Sequence, residues 1–258
     1  TIFRRIAAKQ KEHFSINVAL VLPEQFTDNQ VEAMISGLLL GTYDLGHFKA
    51  NKKVHPFIEP DFTLHLVSDK DHLAVAKKGI KIAKAQLAIL NLVDLPSNTV
   101  NPKYLAHWAK EKGDEYGFSV EVLGHDAAKN AGLGAFLAVG KGSKNESQFV
   151  IMNYSPKVEV KSMKHIGLVG KGITFDTGGL NIKTAGMVHM KCDMAGGGAV
   201  FGAMQLIADL QLLVQVTARV PGAENAIDAK SFLPSDVIKS YSGHSIEIID
   251  TDAEGRLV

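Results

Sequence analysis

The stretch IIDTDAEGRLV, residues 248–258, carries charged side chains at every second position: Asp250, Asp252, Glu254 and Arg256. The residues before it, SIEII, are β-branched and apolar, which predicts a strand, and alternate residues of a strand face one side. We therefore expect Asp252, Glu254 and Arg256 to point together. An exposed ladder of salt bridges would have the same pattern, and such pairs contribute little to stability. This stretch alone leaves both interpretations open.

A second group of charged residues lies among glycines in HIGLVGKGITFDTGGLNIKTAGMVHMKCDMAGGGAV, residues 165–200. Lys171, Asp176, Lys183 and Asp193 follow an apolar strand, and ligand sites in open α/β sheets lie outside the carboxyl ends of strands. The glycines leave little bulk around these charges, so a small ligand can be approached closely. The spacings of the phosphate-binding loop and of the dinucleotide fingerprint are both absent. The stretch therefore favours a ligand other than a phosphate.

The carboxylates of the two stretches suit a hard divalent cation. They are Asp176, Asp193, Asp252 and Glu254. Their four negative charges equal the charge of two divalent ions, and such paired ions lie roughly 3.5–4 Å apart and share a water or hydroxide. The ten histidines and the single cysteine show no spacing typical of a zinc site. The sequence therefore predicts two divalent ions held mainly by carboxylates.

The elements at the start of the chain predict a small α/β domain. SINVALVLP (15–23) and FTLHLVS (62–68) are typical of strands, and Asn29 is a candidate cap for a helix through QVEAMISGLLLGTYDL. A long helix from Asp71 has an apolar stripe from Leu73 to Leu90 and is broken by DLPSNTVNP (94–102). We place the domain boundary there, with an N-terminal domain over 1–88 and a catalytic domain over 89–258.

The rest of the chain alternates between strands and helices. Helices are expected near 103–112 and from about 194, between the apolar strands FSVEVL, QFVIMNY, HIGLVG, LLVQVTARV and SIEIID. Continuous apolar strands between helices predict a mainly parallel sheet with helices on both faces. The predicted fold class is α/β, with a small N-terminal α/β domain followed by this larger sheet domain.

Composition bears on the partners of the protein and on its cellular compartment. Lys and Arg number 28 against 27 Asp and Glu, a balance that gives no electrostatic reason to expect nucleic acid as a partner. No apolar run approaches the roughly 20 residues of a membrane span, and the N-terminal residues do not resemble a secretory signal. Cys192 is the only cysteine, which excludes an internal disulfide and is typical of a reducing compartment. We expect a cytoplasmic protein.

Three blocks, VGKGITFDTGGLNIK, MKCDMAGGGAV and DTDAEGRL, resemble the signature blocks of the leucyl aminopeptidase family, the hexameric dinuclear metallo-aminopeptidases. VDLPSNTVNPKYLA and GLGAFLAVGKGS agree with the same family in the same order, so the resemblance covers most of the chain. It implies an enzyme that releases N-terminal residues, preferably leucine-like ones, from peptides with a free N-terminus. It also implies a homohexamer in full-length form.

The resemblance also implies a role for each charged residue. The metal ligands would be Lys171, Asp176, Asp193, Asp252 and Glu254, with Asp176 and Glu254 bridging two ions that share a water. Manganese and zinc are favoured, and magnesium and cobalt are compatible with the same ligands. Lys183 would polarise the scissile carbonyl and stabilise the oxyanion, and Arg256 would hold a bicarbonate that acts as general base.

The lysine ligand has a thermodynamic requirement. Lys171 must be neutral to bind a metal, which costs about 4–5 kcal/mol at pH 7 from an ordinary lysine pKa. Two adjacent divalent ions can supply that free energy, because they favour the neutral amine.

The sequence departs from the family pattern at several points. Asp250 and Asp94 stand where the family usually has asparagine, and Ser235 stands in place of a glycine. The segment between Lys183 and Asp193 is one residue shorter than is typical. Family members also continue well past DTDAEGRL, so we expect residues 1–258 to be part of a longer chain.

Two other functions remain open from the sequence. The chain could be a catalytically silent or truncated metal-binding subunit that acts in assembly or DNA contact, although Lys183 and Arg256 argue against this. A metal-dependent phosphatase or nucleotide hydrolase would share the carboxylates and has no further motif in its favour.

Overall fold

A computed structural model of the protein describes residues 1–9, 11, 17–158 and 162–258. The chain forms two compact units, Thr1–Asn91 and Leu92–Val258. Each unit combines helices with a sheet, which confirms the predicted α/β class. Among the described residues, no helix is both long enough and apolar enough to cross a bilayer.

The first unit packs its helices on a two-stranded sheet. Its elements are α1 (Ile2–Lys9), β1 (Asn17–Val21), α2 (Asp28–Leu40), β2 (Thr63–Val67) and α3 (Leu73–Asp94), the last of which continues beyond the unit. β1 and β2 pair in parallel, and the core is built mainly from the apolar side of α2. The predicted first strand began at residue 15, and residues 15 and 16 lie outside the described residues.

The helix α2 begins slightly earlier than the sequence suggested. Thr27, not Asn29, is the cap: its Oγ1 accepts a hydrogen bond from the Gln30 backbone N–H, and the Gln30 Oε1 accepts one from the Thr27 N–H at 2.9 Å. A threonine followed three residues later by glutamine satisfies two backbone donors reciprocally, which a cap at Asn29 would not do. The prediction of Asn29 was therefore wrong.

The long helix α3 agrees with the expected start and end. The Asp71 carboxylate accepts a hydrogen bond from the Leu73 N–H at 2.9 Å, and the helix ends at Asp94, two residues before Pro96. Ala76 and Ala83 of the predicted apolar stripe are buried, whereas Leu73 is 59% exposed. Only part of the stripe therefore contributes to the core.

The second unit is built on a five-stranded sheet. Its elements are α4 (Pro102–Tyr116), β3 (Ser119–Leu123), α5 (His125–Asn130), α6 (Gly134–Val139), β4 (Gln148–Tyr154), β5 (His165–Val169), β6 (Gly172–Asp176), α7 (Ala195–Asp209), β7 (Gln215–Asn225), β8 (Val237–Lys239) and β9 (Ser245–Glu247). The strand order is β3-β4-β7-β5, and β6 also pairs with β7. The long strand β7 is therefore the centre of the sheet, while β8 and β9 form a separate antiparallel pair.

This sheet is mainly parallel, as expected, with one strand reversed. β5 and β6 run parallel to β7, and β4 is antiparallel both to β7 and to β3, so β3 again has the direction of β7. The helix α7 joins β6 to β7 as one crossover, the connection that parallel strands need. Between β3 and β4 the chain instead forms two six-residue helices separated by Gly132, whose φ is 78°. That helix pair returns the chain in the opposite direction.

The final charged stretch is not a strand. Residues Thr251–Arg256 form a 3₁₀ helix after β9, and the Asp250 carboxylate caps it by accepting a hydrogen bond from the Asp252 N–H at 2.8 Å. An aspartate whose side chain accepts a hydrogen bond from the backbone N–H two residues later favours a turn, which ends a β-strand. The predicted strand was therefore wrong. Ala253 departs from helical geometry, with φ −106° and ψ 29°, and Asp252 and Glu254 on either side of it still direct carboxylate oxygens to one place, as expected, whereas Arg256 is exposed.

The cap of α2 can be tested by substitution. Thr27→Ala removes one half of the reciprocal pair and leaves backbone donors unsatisfied, so we expect a loss of about 1 kcal/mol in the free energy of unfolding. Thr27→Ser keeps the hydroxyl and should stay close to wild type. Urea unfolding of the three proteins measures the effect, and equal losses in both variants would contradict the assignment.

Candidate metal centre

The site starts where two parallel strands end. Asp176 is the last residue of β6, Asn225 is the last residue of β7, and the two are opposite one another in the pairing. Asp176 is only 2% exposed. Its Oδ1 accepts hydrogen bonds from Asn225 Nδ2 at 2.8 Å and from the Gly178 N–H at 2.9 Å. The orientation of this carboxylate is therefore fixed from one side, and its Oδ2 faces the site.

A glycine turn folds the next segment back over Asp176. Gly178 and Gly179 have φ values of 86° and 62°, a left-handed conformation that favours glycine. A Cβ added at Gly178 would lie 3.0 Å from the Lys183 N, and one at Gly179 would lie 2.8 Å from Thr251 Oγ1. The Lys183 N–H donates to the Thr177 carbonyl at 2.9 Å. The small turn thus positions Lys183 beside the strand end.

Thr251 ties this turn to the 3₁₀ helix 251–256. Its Oγ1 donates to the Gly178 carbonyl at 2.7 Å, and its backbone N–H donates to Asn181 Oδ1 at 2.9 Å. The Asn181 N–H donates back to Thr251 Oγ1, and the Thr251 carbonyl accepts from Asn225 at 3.0 Å. Thr251 is fully buried. These bonds hold the acidic 3₁₀ helix against the end of the sheet.

Three carboxylates meet at this junction. Asp176, Asp252 and Glu254 each offer one oxygen, and these atoms lie within 4.8 Å of one another. Glu254 is 1% exposed, although carboxylates are rarely so buried without a partner. A fourth carboxylate, Asp193, follows the 3₁₀ helix Met187–Cys192 at the start of α7. It joins the group through Lys171, whose Nζ is 3.0 Å from Asp193 Oδ2 and 2.6 Å from Glu254 Oε1.

Two lysines supply the positive charge inside the cluster. Lys171 lies between Glu254 and Asp193, while the Lys183 Nζ is 2.8 Å from Asp176 Oδ2 and also hydrogen-bonds Asp252 Oδ1. Four carboxylates thus face two ammonium groups, which leaves two negative charges without a counter-charge inside the cluster.

The pKa directions follow from burial and from these pairs. Burial raises the pKa of Asp193 and of Glu254, and the nearby Lys171 only partly opposes this. Burial alone would lower the pKa of Lys171 and Lys183, but their contacts with the carboxylates outweigh it and raise both. The two lysines therefore hold their protons tightly while no other cation is close.

The donor set fits divalent cations. It offers hard carboxylate oxygens, the class of ligand that magnesium and manganese prefer, together with one amine. Glu254 Oε2 is buried and makes no hydrogen bond within the described part of the chain, and the buried Asp193 Oδ2 has the Lys171 ammonium 3.0 Å away. Buried polar atoms normally have a partner, and a bound cation would supply one here.

The structure brings together six of the seven residues predicted from the sequence. They are Lys171, Asp176, Lys183, Asp193, Asp252 and Glu254. Arg256 lies on the same 3₁₀ helix but is exposed, and the ion pairs of the cluster involve the two lysines instead. Its side chain lines a mostly apolar cavity of about 570 Å³ beside Phe136 and Tyr241.

Comparison with known proteins shows the family to which the chain belongs. Residues 88–258 match the catalytic domain of the cytosol aminopeptidase family. The chain belongs to the cytosol aminopeptidase family. It is 39% identical over 246 residues to a probable cytosol aminopeptidase of Solibacter usitatus, covering 93% of this chain and 50% of that protein. A probable cytosol aminopeptidase of Hamiltonella defensa is 34% identical over 264 residues, covering 100% of this chain and 53% of the relative.

Two solved structures share the fold of this chain. The bottromycin maturation enzyme BotP in complex with Mn superposes with a TM-score of 0.85 at 27% identity, over 99% of this chain and 54% of BotP. The cytosol aminopeptidase of Coxiella burnetii gives a TM-score of 0.80 at 28% identity, over 93% of this chain and 50% of that enzyme. The chain spans about half the length of the curated relatives it matches.

The sequence did not indicate the residues that support the carboxylates. Asn225, Thr251 and Asn181 carry the hydrogen bonds that orient Asp176 and the 3₁₀ helix. Asn225 lies in VPGAENA and Thr251 in DTDAEGRL, blocks that resemble those of cytosol aminopeptidases. Buried polar residues inside such a block were the available signal, but their bonding partners depend on the tertiary fold.

Two departures from the family pattern have a structural account. Asp250 is exposed, and its carboxylate caps the 3₁₀ helix, as the usual asparagine also could. Ser235 keeps a φ of 75°, which suits the glycine that it replaces. Cys192 is partly buried, and its Sγ lies 3.8 Å from the Val93 carbonyl.

The support given by Asn225 can be tested by stability. Asn225→Ala removes the donor to both Asp176 and Thr251, and leaving buried acceptors unsatisfied should cost about 1–3 kcal/mol in the free energy of unfolding. Asn153→Ala is a matched control, because Asn153 is an exposed sheet residue that accepts one side-chain bond from Thr217. Chemical denaturation compares the two, and similar small losses would contradict the role of Asn225.

Proposed function

We propose that the protein is a metal-dependent aminopeptidase that releases N-terminal residues, with leucine-like residues preferred, from peptides with a free N-terminus. One observation carries this proposal. Four carboxylates and two lysines from three separate segments meet at the carboxyl end of the sheet, with more negative than positive charge. Membership of the cytosol aminopeptidase family supports the same reaction.

The proposed metal ligands are Lys171, Asp176, Asp193, Asp252 and Glu254, which would hold two divalent ions. Manganese is supported by the structural relative BotP, which was solved as a complex with Mn. Zinc is the other favoured ion, and magnesium and cobalt suit the same oxygens. When bound, such ions polarise the peptide carbonyl and lower the pKa of water to supply a nucleophile at neutral pH.

The chain's own residues have three tasks in this proposal. Asn225 and Gly178 hold one oxygen of Asp176, so that its second oxygen stays directed at the site. Lys183 lies on a turn whose backbone is hydrogen-bonded, and its ammonium would stabilise the negative charge that develops on the carbonyl oxygen. Arg256 is exposed, and its guanidinium would hold a small anion such as bicarbonate beside the reacting groups.

The same proposal extends to the setting of the enzyme. We place the catalytic domain at residues 89–258 and a separate N-terminal domain at 1–88. The names of the relatives support a cytoplasmic location, and the family resemblance supports a homohexamer.

Hydrolysis of paired substrates tests the proposed activity. A leucyl peptide with a free amine should be hydrolysed in the presence of manganese, and its N-acetylated counterpart should not, because acetylation removes the basic lone pair of the amine. Comparable turnover of both peptides would contradict an aminopeptidase.

The role of Lys183 gives a second test of the activity. Lys183→Ala should lower kcat by about 100–1,000-fold, the usual effect of removing one oxyanion-stabilising donor. Lys230→Ala, at an exposed position, is the matched control and should keep the wild-type rate. Initial rates with the leucyl peptide measure both, and an unchanged rate in Lys183→Ala would remove Lys183 from the reaction.

A further inference from the structure

We propose that Lys183 is an internal counter-cation of the metal-free centre: it holds Asp176 and Asp252 until a divalent ion binds, and its side chain then leaves them. The ammonium becomes available to the substrate only in the loaded centre. The inference rests on the proposed function, because it requires that these carboxylates take divalent ions.

The two oxygens of Asp176 have different partners. Its Oδ1 already accepts hydrogen bonds from Asn225 and from the Gly178 N–H. The oxygen that remains for a cation is Oδ2, and the Lys183 Nζ lies 2.8 Å from it. The same ammonium hydrogen-bonds Asp252 Oδ1. It therefore occupies the position between two proposed metal ligands.

An ammonium and a divalent ion cannot share that position. Like charges at such a separation repel strongly, most of all where the surrounding groups are buried and solvent screening is weak. Asp176 is nearly inaccessible to water, so the repulsion would not be screened there. Binding of an ion at Asp176 Oδ2 requires the ammonium of Lys183 to move away.

The backbone around Lys183 limits the movement to the side chain. The Lys183 N–H donates to the Thr177 carbonyl, and Asn181 is bonded to Thr251 through its backbone and its side chain. The turn can stay in place while the four-carbon stem of the lysine rotates. The side chain of Lys183 is 18% exposed, which gives the ammonium a route toward solvent and substrate.

Lys171 differs from Lys183 in its partners. It lies between Glu254 and Asp193, and a Cβ added at Gly255 would lie 3.1 Å from its Nζ. The side chain of Lys171 is 35% exposed, so exposure does not distinguish the two lysines. Lys171 is itself a proposed ligand, whereas Lys183 lies against the free oxygen of Asp176 and is therefore the cation that a bound ion would displace.

Amine labelling of the wild-type chain tests this directly. One sample of the chain is acetylated with an amine-reactive ester in the presence of a chelator, and a second sample is acetylated after saturation with Mn²⁺. Bound manganese is measured in both samples, and the acetylation of each lysine is quantified by mass spectrometry. We expect labelling of Lys183 to rise several-fold with manganese, while the exposed Lys230 stays constant. Bound manganese with unchanged or lower labelling of Lys183 would overturn the inference and leave the proposed function standing. Absence of bound manganese would overturn both.

Calorimetry of variants gives an independent measurement. Lys183→Met removes the competing cation, so Mn²⁺ should bind about tenfold more tightly, a coupling of ordinary size. Lys183→Arg keeps a competing charge at the site, and Lys230→Met removes an exposed charge outside the carboxylate cluster, so neither variant should bind Mn²⁺ more tightly. Equal affinity of Lys183→Met and wild type, in a variant with native circular dichroism, would contradict the exchange.

Discussion

Mutual repulsion among four carboxylates is the constraint on which the rest of the second unit depends. Asp176 and Glu254 are almost completely buried, and Asp193 and Asp252 are close enough to share lysine partners with them. Removing charged groups from water is costly unless counter-charges and hydrogen bonds compensate. Two ammonium groups compensate only half of the charge, and this excess of negative charge is the basis of the proposed metal binding.

The fold meets this constraint with rigid supports. The parallel register of β6 and β7 places Asn225 against Asp176, and the left-handed turn at Gly178 brings Lys183 and Thr251 to the same place. Few of these supports carry charge. They are amide and hydroxyl groups, and their hydrogen bonds hold the carboxylates close together despite the repulsion between them. A preorganised site requires its groups to be held in place in this way.

Much of the site could be predicted from the sequence, because charge type and glycine content are properties of short segments. Asp176, Asp193, Asp252 and Glu254 were identified in this way. The local conformation was not: the Asp250 cap converts the expected strand into a 3₁₀ helix, and after the two short helices around Gly132 the strand β4 runs opposite to the other strands of the sheet. Asn225 was missed because it acts through a hydrogen bond to Asp176, a residue far away in the sequence, and no spacing in the sequence predicts that contact.

The proposed function depends on the carboxylate cluster being a centre for two divalent ions. The most direct measurement is native mass spectrometry of the chain titrated with Mn²⁺, with Asp176→Asn as a nearly isosteric variant of lower charge. We predict two ions per wild-type chain and weaker binding in the variant, because Asp176 is expected to bridge both ions. A folded wild-type chain that binds no manganese, or that binds it equally well in Asp176→Asn, would contradict the account.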